Sequence, residues 1–503
     1  MNKAPSLHEN VSDGIFDVAV IGAGVIGTAI AHTLSRYELK TAVIEKETDV
    51  SFGVSKANSG IIHGGFHHAS HMLKTKLELA GNAMFDDLKR ELHFPFKRSG
   101  IIVVAFSVEE MRTVEQLYRR GVDNGAPGLE LCGMSRIHEL EPKLNPDIIG
   151  GLYAPMGGII EPYRFAFALK ESAELNGVRF IMDFECTESE QTHDGMTVLY
   201  DRYGKGIRCK RIVNAAGLYA DEVSSILGGE KFKILPRKGE EYLLDKDAAC
   251  HTSRVVFPVP SKVSKGMLVI PTPEGTTMVG PTAESVLDKE DTSTTEENFH
   301  KIFSSARRIV PGTSEYDVIT SFSGLRPAIE GDDFFIGVSK TNPRLVQAAG
   351  IQSPGLTASP AIAEMVKDLL KETGLVLTEK RHIEKSIARF KPLAEMDADE
   401  AADAIAGDPR YGEIVCRCER VSEAEIIDAA KKGHTTLDGI KFYTRAGMGR
   451  CQGGFCSHKI MAILEREGFV EKGRQEKRNQ GSYFVSERLP VKRSPEGSKE
   501  SGA

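Results

Sequence analysis

The residues whose types and spacing most directly imply chemistry are four cysteines late in the chain. Cys416 and Cys418 form a C-x-C pair, and after thirty-two intervening residues come Cys451 and Cys456, a C-x4-C pair. Four thiolates can saturate a [2Fe–2S] cluster or a structural zinc ion. Zinc sites usually use pairs spaced C-x2-C to C-x4-C. The C-x-C half therefore points to the iron–sulfur cluster and leaves zinc as the alternative. An iron–sulfur cluster carries electrons, so the rest of the chain should contain their source.

That source has its own signature near the start. The apolar run Phe16–Ile21 reads as a strand buried on both faces. Gly22-Ala23-Gly24-Val25-Ile26-Gly27 follows at once, an apolar helical stretch runs to about Arg36, and a second strand, Thr41–Ile44, ends at Glu45. This is the dinucleotide-binding fingerprint in its required context. Gly22 allows the tight turn, Gly24 lets the backbone approach a pyrophosphate, and Gly27 lets helix and strand pack closely. The pyrophosphate would sit at the helix N-terminus, and Glu45 would accept hydrogen bonds from ribose hydroxyls. The fingerprint alone does not choose between FAD and NAD. A long glycine-rich loop, Ser51–Gly65, comes next, with His63 between an apolar pair and two glycines that allow close approach of a ring system.

Residues 72–93 read as an amphipathic helix, 100–106 as a strand and 108–121 as a helix. Pro155–Gly158 is a turn. Pro162 opens a helix closing at Gly177, with Phe165, Ala168, Leu169 and Leu175 on its buried face. Arg211–Gly217 is a short strand ending in small residues, suited to pass beside a bound adenine. Residues 236–337 alternate strands with turns: Glu241–Leu244, Arg254–Phe257, Gly266–Ile270, Thr277–Val279, Ile319–Gly324 and Phe334–Gly337. They predict an antiparallel sheet inserted into the dinucleotide domain as a roof over the cofactor. Val346–Gly350 is a last strand, and Ile351–Thr357 leads into a helix to about Leu370, whose N-terminus can face the electron-rich side of a flavin. Ser422 and Glu425 form a capping box for a helix to about Lys432. A last helix should run from Cys456 to near Gly468. Arg417, Arg420, Arg445 and Arg450 would offset an anionic cluster. Beyond about Lys472 the charged, Ser-, Gly- and Pro-rich tail reads as disordered, and no internal repeats are evident.

Composition bounds the class. The chain has 503 residues, 41% of them hydrophobic, and a formal net charge of −7, which gives no sign of a nucleic-acid partner. Eight cysteines in this length are not a disulfide scaffold. Cys132, Cys186, Cys209 and Cys250 read as buried thiols, as expected in a reducing cytoplasm. The Met1–Ile15 stretch lacks the basic start and apolar core of a signal peptide. No apolar run is long enough for a transmembrane helix, which leaves peripheral membrane contact open.

On the Gly22–Gly27 fingerprint, Glu45, the Asn58-Ser59-Gly60 to His63-Gly64 loop, Val213–Gly217, Ser323–Pro327 and Gly350–Thr357, residues 14–372 resemble the D-amino-acid oxidase-like superfamily of FAD-dependent oxidoreductases. Residues 413–470 resemble the bacterioferritin-associated ferredoxin-like [2Fe–2S] domain. The combination, with Gly447-Met448-Gly449-Arg450-Cys451-Gln452-Gly453, is similar to the anaerobic glycerol-3-phosphate dehydrogenase large-subunit family. One departure stands out. Where that family has a lysine-containing Gly-Gly-Lys motif, this chain has Gly350-Ile351-Gln352-Ser353-Pro354-Gly355, more like flavin-dependent glycerol-3-phosphate oxidases and 2-hydroxyglutarate oxidases.

The resemblance implies an α/β fold: a Rossmann-like FAD-binding domain (about 14–95, 150–235 and 326–372), an inserted, mainly antiparallel β substrate domain (about 96–149 and 236–325), a connector (373–412), a small α-rich [2Fe–2S] domain (413–470) and a disordered tail (471–503). It implies FAD rather than NAD, as does the presence of a single G-x-G-x-x-G. Cofactor contacts are expected from Gly22, Gly24, Gly27, Glu45, Asn58, Ser59, Gly60, Ala216, Gly217, Gly350, Ser353, Gly355, Leu356 and Thr357. Cluster ligation is expected from Cys416, Cys418, Cys451 and Cys456.

The implied reaction is oxidation of sn-glycerol-3-phosphate to dihydroxyacetone phosphate. Electrons would pass through the cluster to a partner, a second flavoprotein or another electron-acceptor subunit. The alternatives are a 2-hydroxy acid or an amino or imino acid as substrate, or a non-catalytic electron-transfer subunit. Removing a hydride from a secondary alcohol also requires a base. His63 is either that base or a residue positioning the flavin ring. Arg326 suits a small anionic substrate, phosphate or carboxylate. Ser353 is a hydrogen-bond donor to substrate or flavin, and Lys265 a weaker second anion contact.

Overall fold

The computed structural model describes residues 10–260, 266–389 and 391–484. Lys265 and the last part of the expected tail lie outside them. The chain forms two compact units that divide between Lys391 and Pro392, with Gly449–Gln452 grouped with the first.

The first unit is built on two large sheets. In one, the strands run in parallel order Arg179–Ile181, Thr41–Ile44, Asn10–Ile21, Lys205–Asn214 and Leu345–Ala349. Phe335–Val338 adds antiparallel to Leu345–Ala349. The apolar run Val18–Ile21 sits at the centre, pairing with Thr41–Ile44 on one side and Arg211–Asn214 on the other. Its residues are buried on both faces, as a parallel strand covered by helices requires. Helices Val25–Leu34, Pro162–Leu175 and Gly355–Glu372 flank this region. The hairpin Cys186–Gln191 and Thr197–Asp201, which sequence patterning missed, extends Lys205–Asn214.

The second sheet is the expected roof. Val318–Ala328 pairs antiparallel with Leu235–Leu244, and the order continues through Thr277–Gly280, Leu268–Pro271 and Val255–Pro258. Ile101–Ala105 then joins Val255–Pro258 in the sheet's parallel pairing, followed antiparallel by Gly150–Ala154 and Glu130–Gly133. Helix Glu296–Ile309, capped by Thr295, buries Ile302, Phe303, Ala306 and Ile309 on one face of this sheet.

Several expectations change. Phe334–Gly337 was expected in the roof, but its strand completes the dinucleotide sheet. Gly150–Ala154 belongs to the roof, which moves that domain boundary past 154. Leu175 is exposed, because it lies in the last turn of its helix beyond the face that buries Phe165 and Leu169. The supposed connector 373–412 contains a helix, Ala398–Gly407, closed by an Asp397/Glu400 capping box.

The second unit holds short strands Ile414–Cys416 and Val421–Ser422 and helices Glu423–Lys431, Leu437–Thr444 and Ser457–Arg466. The Ser422/Glu425 capping box forms as expected. Ile426, Ile427, Ile440, Tyr443, Ile463 and Leu464 make its core. The tail does not begin at 471. Backbone bonds from Leu437 and Asp438 N–H to the carbonyls of Glu476 and Lys477, with a Glu476–Tyr483 bridge, hold residues 471–484. No helix among the described residues is long and apolar enough to cross a membrane.

Candidate active site and cluster segment

Between the glycine turn and the roof of the first unit lies a cavity of about 450 Å³. At one end is the fingerprint. Gly22 has φ +104°, and a Cβ there would come 2.4 Å from the Ala215 carbonyl oxygen. Only glycine therefore lets strands Asn10–Ile21 and Lys205–Asn214 close together at the cavity floor. Gly24 lines the cavity at the start of helix Val25–Leu34, whose Val25 N–H donates to Ser55 Oγ at 2.9 Å. Glu45 is tied to the turn by hydrogen bonds from the Ala23 and Glu47 N–H groups, at 2.7 and 3.0 Å. Burial raises its carboxyl above the usual range, and these two donors oppose the rise.

Ala216, Gly217, Asn58, Ser59, Gly350, Ser353, Gly355 and Leu356 line the same cavity. Gly27, Gly60 and Thr357 do not line it; they support residues that do. A Cβ on Gly27 would lie 1.8 Å from the Gly22 carbonyl oxygen, and one on Gly60 2.4 Å from that of Ile160. Thr357 Oγ1 accepts from the His63 N–H at 3.0 Å. A floor that excludes side chains, a helix N-terminus and an acid at the second strand end fit the pyrophosphate and ribose of FAD.

His63, Ser353 and Arg326 also line this cavity, so the structure gathers residues from three distant segments. His63 Nε2 lies 3.1 Å from Ser353 Oγ. The His63 carbonyl accepts from Asn82 Nδ2 at 2.6 Å, which anchors the backbone behind the ring. Behind Ser353, Gln352 Nε2 donates to Asp332 Oδ1 at 2.6 Å, and Asp332 in turn pairs with buried Lys74 at 2.9 Å.

Among the described residues Arg326 reaches only the Thr282 carbonyl, through two long contacts of 3.3 and 3.4 Å. It has no carboxylate within ion-pair distance among the described residues. Its guanidinium lies over Gly239, where a Cβ would fall 2.6 Å from Nη2. Burial lowers the Arg326 pKa; Glu241 opposes that shift and Arg237 adds to it.

Arg237 and Glu241 are among the cavity residues that the sequence patterns do not single out. Arg237 stands directly opposite Arg326 in the antiparallel pair. Glu241 is 1% exposed, and its Oε1 accepts from Ser59 Oγ. Burial pushes the Glu241 carboxyl up to about 7, against the Ser59 hydrogen bond and the Arg326 charge. The one available signal was strand alternation, which puts 237, 239 and 241 on one face.

In the second unit, Cys416 and Cys456 are buried, and Cys418 is exposed. A hydrogen bond from Cys456 draws the Cys416 thiol down to about 6, favouring the thiolate that metals require. Cys451 falls in Gly449–Gln452, outside this unit. Among the described residues no three His, Cys, Asp or Glu side chains are gathered as a ready ligand set. The soft donors and the Cys416–Cys456 pair nonetheless fit a cluster in chemistry. Three of the four arginines have partners of their own, Arg450 among them, donating to Asp245 Oδ2 at 2.8 Å. Arg445 forms a buried ion pair with Glu419 at 3.0 Å, and Arg420 donates to the Ala394 carbonyl at 2.6 Å.

Residues 17–369 match the FAD dependent oxidoreductase family, and 414–466 match the BFD-like [2Fe-2S] binding domain. A glycerol 3-phosphate dehydrogenase of Caloramator mitchellensis is 42% identical over 474 residues, 94% of this chain and 98% of that protein. A glycerol 3-phosphate oxidase of Mycoplasma pneumoniae is 31% identical over 371 residues, 72% of this chain and 96% of that protein. The solved structure of dithionite-reduced L-alpha-glycerophosphate oxidase from Mycoplasma pneumoniae, with FAD bound, superposes with TM-score 0.71 over 74% of this chain and 98% of that one. The chain thus belongs to the FAD-dependent oxidoreductase family, among the homologues of glycerol 3-phosphate dehydrogenase, and it carries a [2Fe–2S] domain.

Proposed function

We propose that the protein oxidises sn-glycerol 3-phosphate to dihydroxyacetone phosphate and delivers the electrons, through the cluster bound by Cys416, Cys418, Cys451 and Cys456, to a separate acceptor protein. One observation carries this reading. An arginine with no carboxylate partner among the described residues and a paired His63–Ser353 face one cavity beside the dinucleotide cradle. Arg326, with Arg237 opposite, holds the phosphate; a guanidinium fork matches its oxygens. His63 takes the carbinol proton at Nε2 when the substrate hydroxyl replaces Ser353 Oγ at that nitrogen, and Ser353 Oγ keeps the imidazole aimed until then. FAD, when bound, supplies the hydride acceptor. The glycine turn, Glu45, Ala216, Gly217 and the start of helix Gly355–Glu372 hold it in place.

Cys132, Cys186, Cys209 and Cys250 are buried free thiols, which supports a reducing compartment such as the cytoplasm. The test is anaerobic mixing of the holoenzyme with glycerol 3-phosphate, L-2-hydroxyglutarate and amino acids in turn. Bleaching of the flavin by glycerol 3-phosphate, followed by the reduced-cluster signal, is expected. Bleaching by the hydroxy acid or an amino acid alone would replace the substrate and leave the fold reading intact.

A further inference from the structure

Glu241 has no structural duty that explains a carboxyl in this place. Its strand is held by backbone pairing with Val318–Ala328 and Thr277–Gly280. Among the described residues its side chain makes one hydrogen bond, from Ser59 Oγ to Oε1, and no ion pair. Oε2 has no partner among the described residues and is not sealed in the interior; its open side is the cavity that Glu241 lines. An unpaired buried carboxyl is costly unless a ligand completes it.

The neighbours define that ligand. Arg237, Gly239 and Glu241 share one face of the strand, and the Arg326 guanidinium covers Gly239. The roof therefore presents, in a row, a guanidinium, a second guanidinium and a carboxyl. A molecule fitting it carries an anionic group at one end and a hydrogen-bond donor at the other. Once Glu241 is ionised, a second carboxylate at the far end would meet it charge to charge, whereas a hydroxyl would donate to Oε2.

Resting on the function proposed above, we propose that Glu241 is a specificity-determining residue. It accepts a hydrogen bond from the terminal hydroxyl of the substrate, the one that is not oxidised, and so selects a hydroxylated phosphate ester over a dicarboxylate. No covalent step is involved; Glu241 binds the same hydroxyl in substrate and product.

The test removes each half of the contact. Anaerobic flavin-reduction rates are measured with glycerol 3-phosphate and with its deoxy analogue, propane-1,2-diol 1-phosphate, for wild type, Glu241→Ala and Glu241→Gln. Dissociation constants come from flavin spectral titration of the oxidised holoenzyme with dihydroxyacetone phosphate and hydroxyacetone phosphate. In wild type, loss of the terminal hydroxyl should weaken binding and kcat/KM by roughly ten- to a hundredfold, the range of a hydrogen bond to a charged group. In Glu241→Ala the two ligands should become equivalent. Glu241→Gln, which keeps shape and an acceptor oxygen, should fall between and serves if the alanine variant does not fold. Equal handling of both ligands by wild type, or an undiminished preference in both variants, overturns the inference while leaving the substrate assignment standing. Failure of glycerol 3-phosphate to reduce wild-type flavin overturns both.

Discussion

His63 Nε2 and Ser353 Oγ lie 3.1 Å apart across 290 residues of sequence. The contact fixes which ring nitrogen faces the cavity, because the other end of His63 is anchored through its N–H to Thr357 and its carbonyl to Asn82. A base so held needs no reorientation when substrate binds. His63→Asn should therefore slow anaerobic flavin reduction by about a hundred- to ten-thousandfold, the usual contribution of general base catalysis. Ser353→Ala, which removes the aiming contact, should cost about tenfold, near the value of one net hydrogen bond. Stopped-flow flavin bleaching measures both. Unchanged rates in His63→Asn would leave the histidine a structural residue.

Arg326 depends on the absence of a side chain at Gly239. A Cβ there would meet Nη2 at 2.6 Å and the Thr282 carbonyl at 2.9 Å, and the carbonyl, being backbone, cannot swing aside. Gly239→Ala should push the guanidinium off its place and raise KM for glycerol 3-phosphate by about tenfold or more, a loss of about 1.4 kcal/mol. FAD content should stay at the wild-type level. Arg326→Lys should also raise KM, since an ammonium cannot replace a planar fork. A kcat that falls with KM unmoved would place Arg326 elsewhere in the reaction.

The cradle prediction concerns cofactor content. Gly22 combines φ +104° with a Cβ position 2.4 Å from the Ala215 carbonyl oxygen, so Gly22→Ala carries both backbone strain and a backbone clash. The cost should reach about 1–3 kcal/mol. The purified variant should hold much less FAD than wild type, read from the ratio of visible to ultraviolet absorbance. Full flavin occupancy would show that the turn can relax.

The cluster prediction separates the two cofactors. Cys416 and Cys456 are both buried, and their mutual hydrogen bond favours the thiolate. Cys416→Ser or Cys456→Ser should remove nearly all iron and acid-labile sulfide while FAD stays bound and is still bleached by substrate. Wild-type protein that contains zinc and no iron would sink the iron–sulfur assignment.

Much of this site was legible because its signals are local. The turn at Gly22–Gly27, its flanking strand and helix, and Glu45 lie within thirty residues and report one backbone geometry. The Ser422/Glu425 cap is equally self-contained. Phe334–Gly337 was recognised as a strand and assigned to the wrong sheet, because alternation predicts a strand but not its partner. Glu241 was invisible for the same reason. Its meaning comes from Ser59, 182 residues away, and from an arginine on a neighbouring strand. Arg445 looked like a counter-charge for the cluster until Glu419 proved to hold it; sequence shows charges but not which ones are already paired.

Glu241 also gives the protein a pH dependence of stated sign. Burial moves its carboxyl from an ordinary 4.5 up to about 7 in the folded chain. Between those values the folded state binds a proton that the unfolded state has released. The stabilisation this proton represents is complete below about 4.5 and is lost as pH rises through about 7. At about 1.4 kcal/mol per unit, the full excursion is about 3 kcal/mol as an order of magnitude. Glu241→Gln cannot titrate and lacks this loss. The melting temperature of substrate-free wild type should therefore fall relative to that of Glu241→Gln on going from pH 5 to pH 8. Using the difference between the two proteins cancels the histidines and other carboxylates that titrate in both. A difference that stays flat across that range would mean the buried carboxyl is ionised throughout, compensated by the Arg326 charge.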